Sequence, residues 1–204
     1  IMHDQRESNG TELRCDAGNF LFLTGANEAA GRFTEGHFDL PVRRGDIIRV
    51  KKGLYVFGDE LRRRPYSREL LANLIYGPSF VSLDSALSFY GILPEGVYMC
   101  TSVCTSRTLR INMAGHEYEY SRLREKHYIG YRLEDTGITG RRLRIANPEK
   151  AVADFFYLRT SYNSEDEIRE LRFNESSLDG GLDREKLFSY TEIFGTSALE
   201  KRIK

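Results

Sequence analysis

The sequence predicts an α+β protein in two parts: a small N-terminal unit built on a β-hairpin, and a larger unit of mixed helices and short strands. Three observations carry this reading. Residues 46–57 alternate apolar and polar side chains on both sides of a Lys-Gly turn. Residues 67–91 hold two amphipathic patterns of helical spacing, each closed by glycine. Residues 97–145 break into short aromatic and β-branched runs separated by turn residues. With 40% hydrophobic and 12% aromatic residues, the 204-residue chain can build a core, which argues against global disorder.

Taken in order, residues 1–40 carry no sustained period, because Gly10, Gly18, Gly25, Gly31 and Gly36 interrupt every pattern. One short helix is expected over Ala26–Phe33. Ile48 and Val50 then alternate with Arg49 and Lys51, Lys52-Gly53 turns the chain, and Leu54 and Val56 alternate with Tyr55 and Phe57, a hairpin pattern. The polar stretch GDELRRRPY at 58–66 marks a boundary between a unit at 1–60 and a unit at 65–204. Ser67 suits a helix N-cap, and Leu70, Leu71, Leu74 and Ile75 share the buried face up to Gly77-Pro78. Ser82 is the expected cap of a second helix, with Leu83, Ala86, Leu87 and Tyr90 as its apolar stripe.

Strands are expected at Val97–Val103, Thr108–Ile111, His116–Tyr120, Tyr128–Leu133 and Arg141–Ile145. Asn147-Pro148 then opens a helix, with Asn as cap and Pro in the first position. Ser164-Glu165-Asp166-Glu167 is a capping box, and Asp183–Phe194 is the last clear helix before a basic tail.

Net charge is zero, but it is unevenly distributed. Residues 41–68 carry nine basic against three acidic residues, and residues 105–145 carry nine against five. Residues 1–40 are acidic, with three basic against seven acidic. A polyanion responds to local charge, so the hairpin is the natural candidate for nucleic-acid contact. Lys51, Lys52 and Gly53 supply the cations and the small residue that the tip of a winged-helix wing needs, and Arg43 and Arg44 stand just ahead of its first strand. The competing reading is a surface hairpin with solvated lysines.

Catalytic inventories find little purchase. His3, His37, His116 and His127 are scattered. Cys100 and Cys104 would lie on one strand face about 13 Å apart, too far to share a metal. There is no G-x-S-x-G elbow and no glycine-rich phosphate loop. Glu117 and Glu119 share a strand face, and Glu149-Lys150 precedes Asp154, but adjacent helical residues diverge by about 100°. Capping and surface charge are the expected roles of Glu149 and Lys150. The chain is therefore expected to be a binding protein without catalytic residues, cofactor or metal. Three cysteines, no run of eighteen apolar residues and no basic-then-apolar leader point to a cytoplasmic chain outside the membrane.

Four blocks carry a family resemblance: RRGDIIRVKKGLYVFG, SRELLANLIYGPSFVSLDSALSFYGILPE, TSVCTSR and IANPEKAVADFFY. Together, over roughly residues 43–158, they resemble the AbiEi-type antitoxins of type IV toxin–antitoxin systems, relatives of predicted transcriptional regulators of phage-defence (abortive infection) loci. The resemblance implies an N-terminal winged helix that binds inverted repeats in its own promoter, and a C-terminal antitoxin domain that counteracts a cognate nucleotidyltransferase-like toxin. It assigns Arg43, Arg44, Lys51 and Lys52 to DNA. Where the family shows a continuous recognition helix, this chain reads GRFTEGHFDLPV, with Gly31, Gly36 and Pro41 breaking it. The alternative is thus a protein-interaction antitoxin module without specific DNA binding.

Overall fold

The protein is α+β in a computed structural model that describes residues 12–16, 20–24, 47–58, 60, 66–136 and 141–203. The chain divides into two compact units, Ile1–Tyr66 and Ser67–Lys204. The stretch between Thr24 and Ile47 lies outside the described residues. The expected helix over Ala26–Phe33, Arg43 and Arg44 all fall there.

The first unit contains an antiparallel sheet of β1 (Glu12–Asp16), β2 (Phe20–Thr24), β3 (Ile47–Lys51) and β4 (Leu54–Phe57), in the order β1-β2-β4-β3. β3 and β4 form the expected hairpin, and Gly53 in its turn has φ +79°. That left-handed conformation costs a side chain about 1–2 kcal/mol and costs glycine nothing comparable. The period-2 reading needs one correction. The register passes from Arg49↔Tyr55 directly to Lys51↔Leu54, so Val50 is an extra residue, a β-bulge. Parity changes there: Ile47 and Val50 are buried while Ile48 is only half-buried. On β4, Leu54 and Val56 are buried, Val56 across from Ile48 and Leu54 across from Lys51.

The second unit is organised by a six-stranded mixed sheet in the order β7-β8-β6-β5-β10-β9. Its strands are β5 (Ser79–Val81), β6 (Cys100–Cys104), β7 (Leu109–Met113), β8 (His116–Arg122), β9 (Tyr131–Asp135) and β10 (Arg142–Ala146). β6 runs parallel to β8, and β5 runs parallel to β10; the other neighbours are antiparallel. The helices are α1 (Arg68–Ile75), α2 (Leu83–Phe89), α3 (Pro148–Leu158), α4 (Glu165–Glu170), α5 (Glu175–Gly181), α6 (Arg184–Phe194) and α7 (Ser197–Ile203).

Strand alternation assigns the two faces. On one, Tyr120 donates its hydroxyl to the Ala72 carbonyl at 2.8 Å and meets the Tyr76 ring edge-on, so α1 covers this side. On the other, the next residues along β6 and β8, Thr101 and Glu119, reach α2 and the end of α3. Cys100 and Cys104 lie on the α1 side, buried and free. Burial pushes the Cys100 thiol up to about 12 and raises that of Cys104, the behaviour of packing cysteines.

Several local expectations hold. Ser67 caps α1 by accepting the Leu70 amide at 3.1 Å, Pro148 opens α3, and the Ser164–Glu167 capping box is complete. The basic tail differs from expectation: α7 buries Leu199, and Arg202 donates to the Phe156 carbonyl at 2.8 Å.

Gly130, just ahead of β9, has φ +77°, and a Cβ there would stand 2.5 Å from the Tyr190 hydroxyl of α6. Gly130→Ala should combine a backbone penalty with overpacking and lower stability by about 1–3 kcal/mol. Urea unfolding of the two proteins checks this.

Candidate functional site

Two regions of the described chain carry concentrated charge, and the sequence anticipates only one of them. The first is the β3–β4 hairpin. Its buried base of Ile47, Val50, Leu54 and Val56 fixes the strands, and Arg49, Lys51 and Lys52 are exposed around the turn. Of the four expected DNA-contacting residues, the structure brings Lys51 and Lys52 together at the tip; Arg43 and Arg44 lie outside the described residues. Arg49, exposed across from Tyr55 just before the bulge, joins the two lysines.

The second region is interior to the larger unit. Glu149 and Lys150 are not the surface charges that the sequence suggests: both are buried, and Lys150 is inaccessible to solvent. The Lys150 ammonium pairs with the Asp154 carboxylate one turn further along α3, and Asp154 is equally buried. The Ser82 hydroxyl donates to the second Asp154 oxygen at 2.7 Å. The Lys150 ammonium also stands 4.8 Å from the Phe194 ring centre and 5.7 Å from that of Phe80, so aromatic faces complete its surroundings. Burial lowers the Lys150 pKa and raises that of Asp154, and the attraction of each for the other opposes both shifts.

The Ser82–Asp154 bond explains why Ser82 does not cap α2 as expected. Its hydroxyl is engaged with Asp154, and it makes no side-chain cap bond. The amide of Ser85, which a cap would satisfy, instead donates to Thr101 Oγ1 of β6 at 3.0 Å, and that hydroxyl donates to the Ser82 carbonyl at 2.8 Å. Cross-strand capping of this kind leaves no local sequence signal. Leu83, the first residue of α2, adopts φ +57°, a conformation disfavoured for leucine and held here by complete burial.

A partly buried charge network flanks this centre. Glu119 accepts two bonds from Arg110, at 3.0 and 2.6 Å, and its other oxygen lies 3.4 Å from Arg159, which also pairs with Asp84 at 3.2 Å. Glu117 is exposed, so the two glutamates of β8 share a face but not an environment. Glu149 pairs with Lys186 of α6 at 2.8 Å and accepts the Asp183 amide at 3.3 Å. Among the described residues, no group of three His, Cys, Asp or Glu side chains stands where one metal ion could bind them. A cavity of about 130 Å³ lined by Arg68, Glu69, Ser85, Phe89 and Cys100, among others, is small beside the roughly 300–1,000 Å³ of a typical ligand pocket. No helix among the described residues is long and apolar enough to cross a membrane.

Comparison with known proteins corrects two expectations. Residues 1–49 match the model of the NicX family, 2,5-dihydroxypyridine 5,6-dioxygenase. This match overturns the antitoxin-family resemblance, for which the comparisons bring no support. It also overturns the expectation of a chain without enzymatic activity, because the matched family is named for an enzyme. The sequence blocks that suggested otherwise lie almost wholly beyond residue 49. Three of the four encode the framework of the larger unit (the α1 cap, the α2 stripe and the α3 start among it), which packing alone accounts for, and the first encodes the hairpin. No curated protein matches the chain.

Two outcomes follow from the interior charges. Lys150→Met or Asp154→Leu alone should each cost about 3–5 kcal/mol, since each strands a buried charge, whereas the double variant should recover most of that loss. Chemical denaturation of the three variants measures the coupling. His127 is buried against Tyr157 and Phe194, and burial, then the charges of Lys126, Lys150 and Arg124, lowers its pKa. An unfolded histidine takes up its proton near pH ~6.5, and the folded one only at lower pH. The neutral ring's contribution is thus complete above that value and is lost as pH falls through the folded pKa. Unfolding midpoints should decline between about pH 7.5 and 5.5, and His127→Phe should flatten that decline.

Proposed function

We propose that the chain is a DNA-binding regulator whose β3–β4 hairpin contacts the phosphate backbone of promoter DNA. The observation that carries this reading is the exposure of Arg49, Lys51 and Lys52 around one tight turn, within a segment that is net basic in a chain of zero net charge. Each cation brought to phosphate releases condensed counterions, which gives affinity without sequence specificity and makes it steeply salt dependent. Bases would be read by a separate element.

The second part of the proposal gives the Ser67–Lys204 unit the antitoxin role, counteracting a nucleotidyltransferase-like toxin in the cytoplasm. Growth rescue on co-expression with such a toxin tests it. Rescue by a chain that no longer binds DNA favours the protein-interaction alternative over the regulator.

A second reading follows from the match over residues 1–49: the chain takes part in oxygen-dependent cleavage of a dihydroxypyridine ring. Oxygen uptake on adding 2,5-dihydroxypyridine supports it, and its absence in the intact chain under air removes it.

For the regulator, Lys51→Ala with Lys52→Ala should weaken binding by a similar factor on every DNA sequence and reduce the salt slope by about 2, with little change in stability. Fluorescence anisotropy against the chain's own upstream DNA, titrated across salt, gives both numbers. An unaltered slope removes the hairpin from the interface.

A further inference from the structure

The larger sheet ends in a strand that is complementary to itself. β9 pairs with β10 along one side from Tyr131 to Asp135 and has no strand on its other side among the described residues. It is also the most open strand of that sheet: Leu133 is 51% exposed and Tyr131 39%, with Ile129 just before the strand at 38%. An open edge carries unpaired backbone N–H and C=O groups and invites another strand.

Its sequence, Tyr-Arg-Leu-Glu-Asp, specifies which strand. In an antiparallel pair about a two-fold axis through Leu133, Arg132 of each copy faces Glu134 of the other, and Tyr131 faces Asp135. Shifting the register by one allowed step either way sets Arg132 against Arg132 or Glu134 against Glu134, which directly opposed like charges disfavour. Side chains must stay on matching faces, so intermediate shifts are forbidden. Arg132 and Glu134 are already ion-paired within the strand and partly exposed, at 49% and 31% for their side chains, so they stand ready to form a four-charge cluster across the axis. The opposite face brings the two Leu133 side chains together at the centre, flanked by Tyr131, which Phe80 holds in place by stacking at 5.0 Å.

We propose that the protein dimerises through isologous antiparallel pairing of β9, joining two six-stranded sheets into one continuous sheet with Leu133 on the two-fold axis. The occupant of the edge is a second copy of this chain, and the proposal stands independently of the DNA-binding reading. Closing the edge this way satisfies the outward backbone groups of both copies at once.

Sedimentation velocity of the intact chain across a concentration series tests it. The wild-type protein should be dimeric at about 100 µM. Arg132→Glu makes the facing pairs acidic and Glu134→Arg makes them basic; each should raise the dimer Kd at least about tenfold. The double exchange, Arg132→Glu with Glu134→Arg, restores opposite charges in the same register and should return the Kd to within about threefold of wild type. Circular dichroism and unfolding midpoints, matched across the variants, separate lost pairing from lost folding, and the double variant serves as the folded control. A wild-type monomer at about 100 µM overturns the proposal. So does a dimer indifferent to the single exchanges, or a double exchange no better than the singles.

Discussion

The larger unit depends on the pair between Lys150 and Asp154, because its partners come from elements distant in sequence. Asp154 sits on α3 and receives the hydroxyl of Ser82, at the junction between β5 and α2. Lys150 lies against Phe80 of β5 and Phe194 of α6. Two charges without access to water are tolerated only where geometry and hydrogen bonds compensate for lost hydration. The pair is therefore a condition on the arrangement of β5, α2, α3 and α6 more than a source of net stability. Its consequences reach Leu83, held in a left-handed conformation, and α2, whose first turn is satisfied by Thr101 because Ser82 is engaged elsewhere.

Much of the framework was legible in the sequence, wherever the determining interaction is local. The Ser67 cap, the Pro148 start, the Ser164–Glu167 box and the Lys52-Gly53 turn are all set by neighbours within a few residues. Legibility fails where a distant residue decides. The bulge at Val50 changes the parity of β3, and β1 and β2 form from a glycine-interrupted stretch in which only the run Phe-Leu-Phe-Leu-Thr at 20–24 hints at a strand. β5 is too short to show a period, being three residues all buried. Lys150 is the clearest case. An i, i+4 Lys–Asp pair on a helix reads as a solvated surface pair, and only the third dimension buries it.

The candidate sites divide in the same way. A cationic turn announces itself by its Lys-Lys-Gly run, and the structure adds Arg49 to Lys51 and Lys52. The interior centre was missed because its members are spread over Ser82, Lys150, Asp154 and Phe194. The match to a dioxygenase family over residues 1–49 shows the converse hazard: blocks that look diagnostic of a family can encode helix caps and packing stripes, which unrelated chains of similar architecture also need.

The strand order of the larger sheet has a consequence for how the chain acquires it during synthesis. Val81 of β5 lies beside Ile145 of β10, sixty-four residues later, while the β7–β8 hairpin closes almost at once. As the chain emerges from the N-terminus, β5, β6, β7 and β8 can assemble, but the flank of β5 reserved for β10 stays open until Arg142–Ala146 has been made. Lys150 and Asp154 follow within a further dozen residues. The nascent sheet thus carries a vacant edge at Ser79–Val81 for most of its translation, and the buried salt bridge can form only after the strand that fills this edge has been made, sealing a topology that the ribosome delivers out of spatial order.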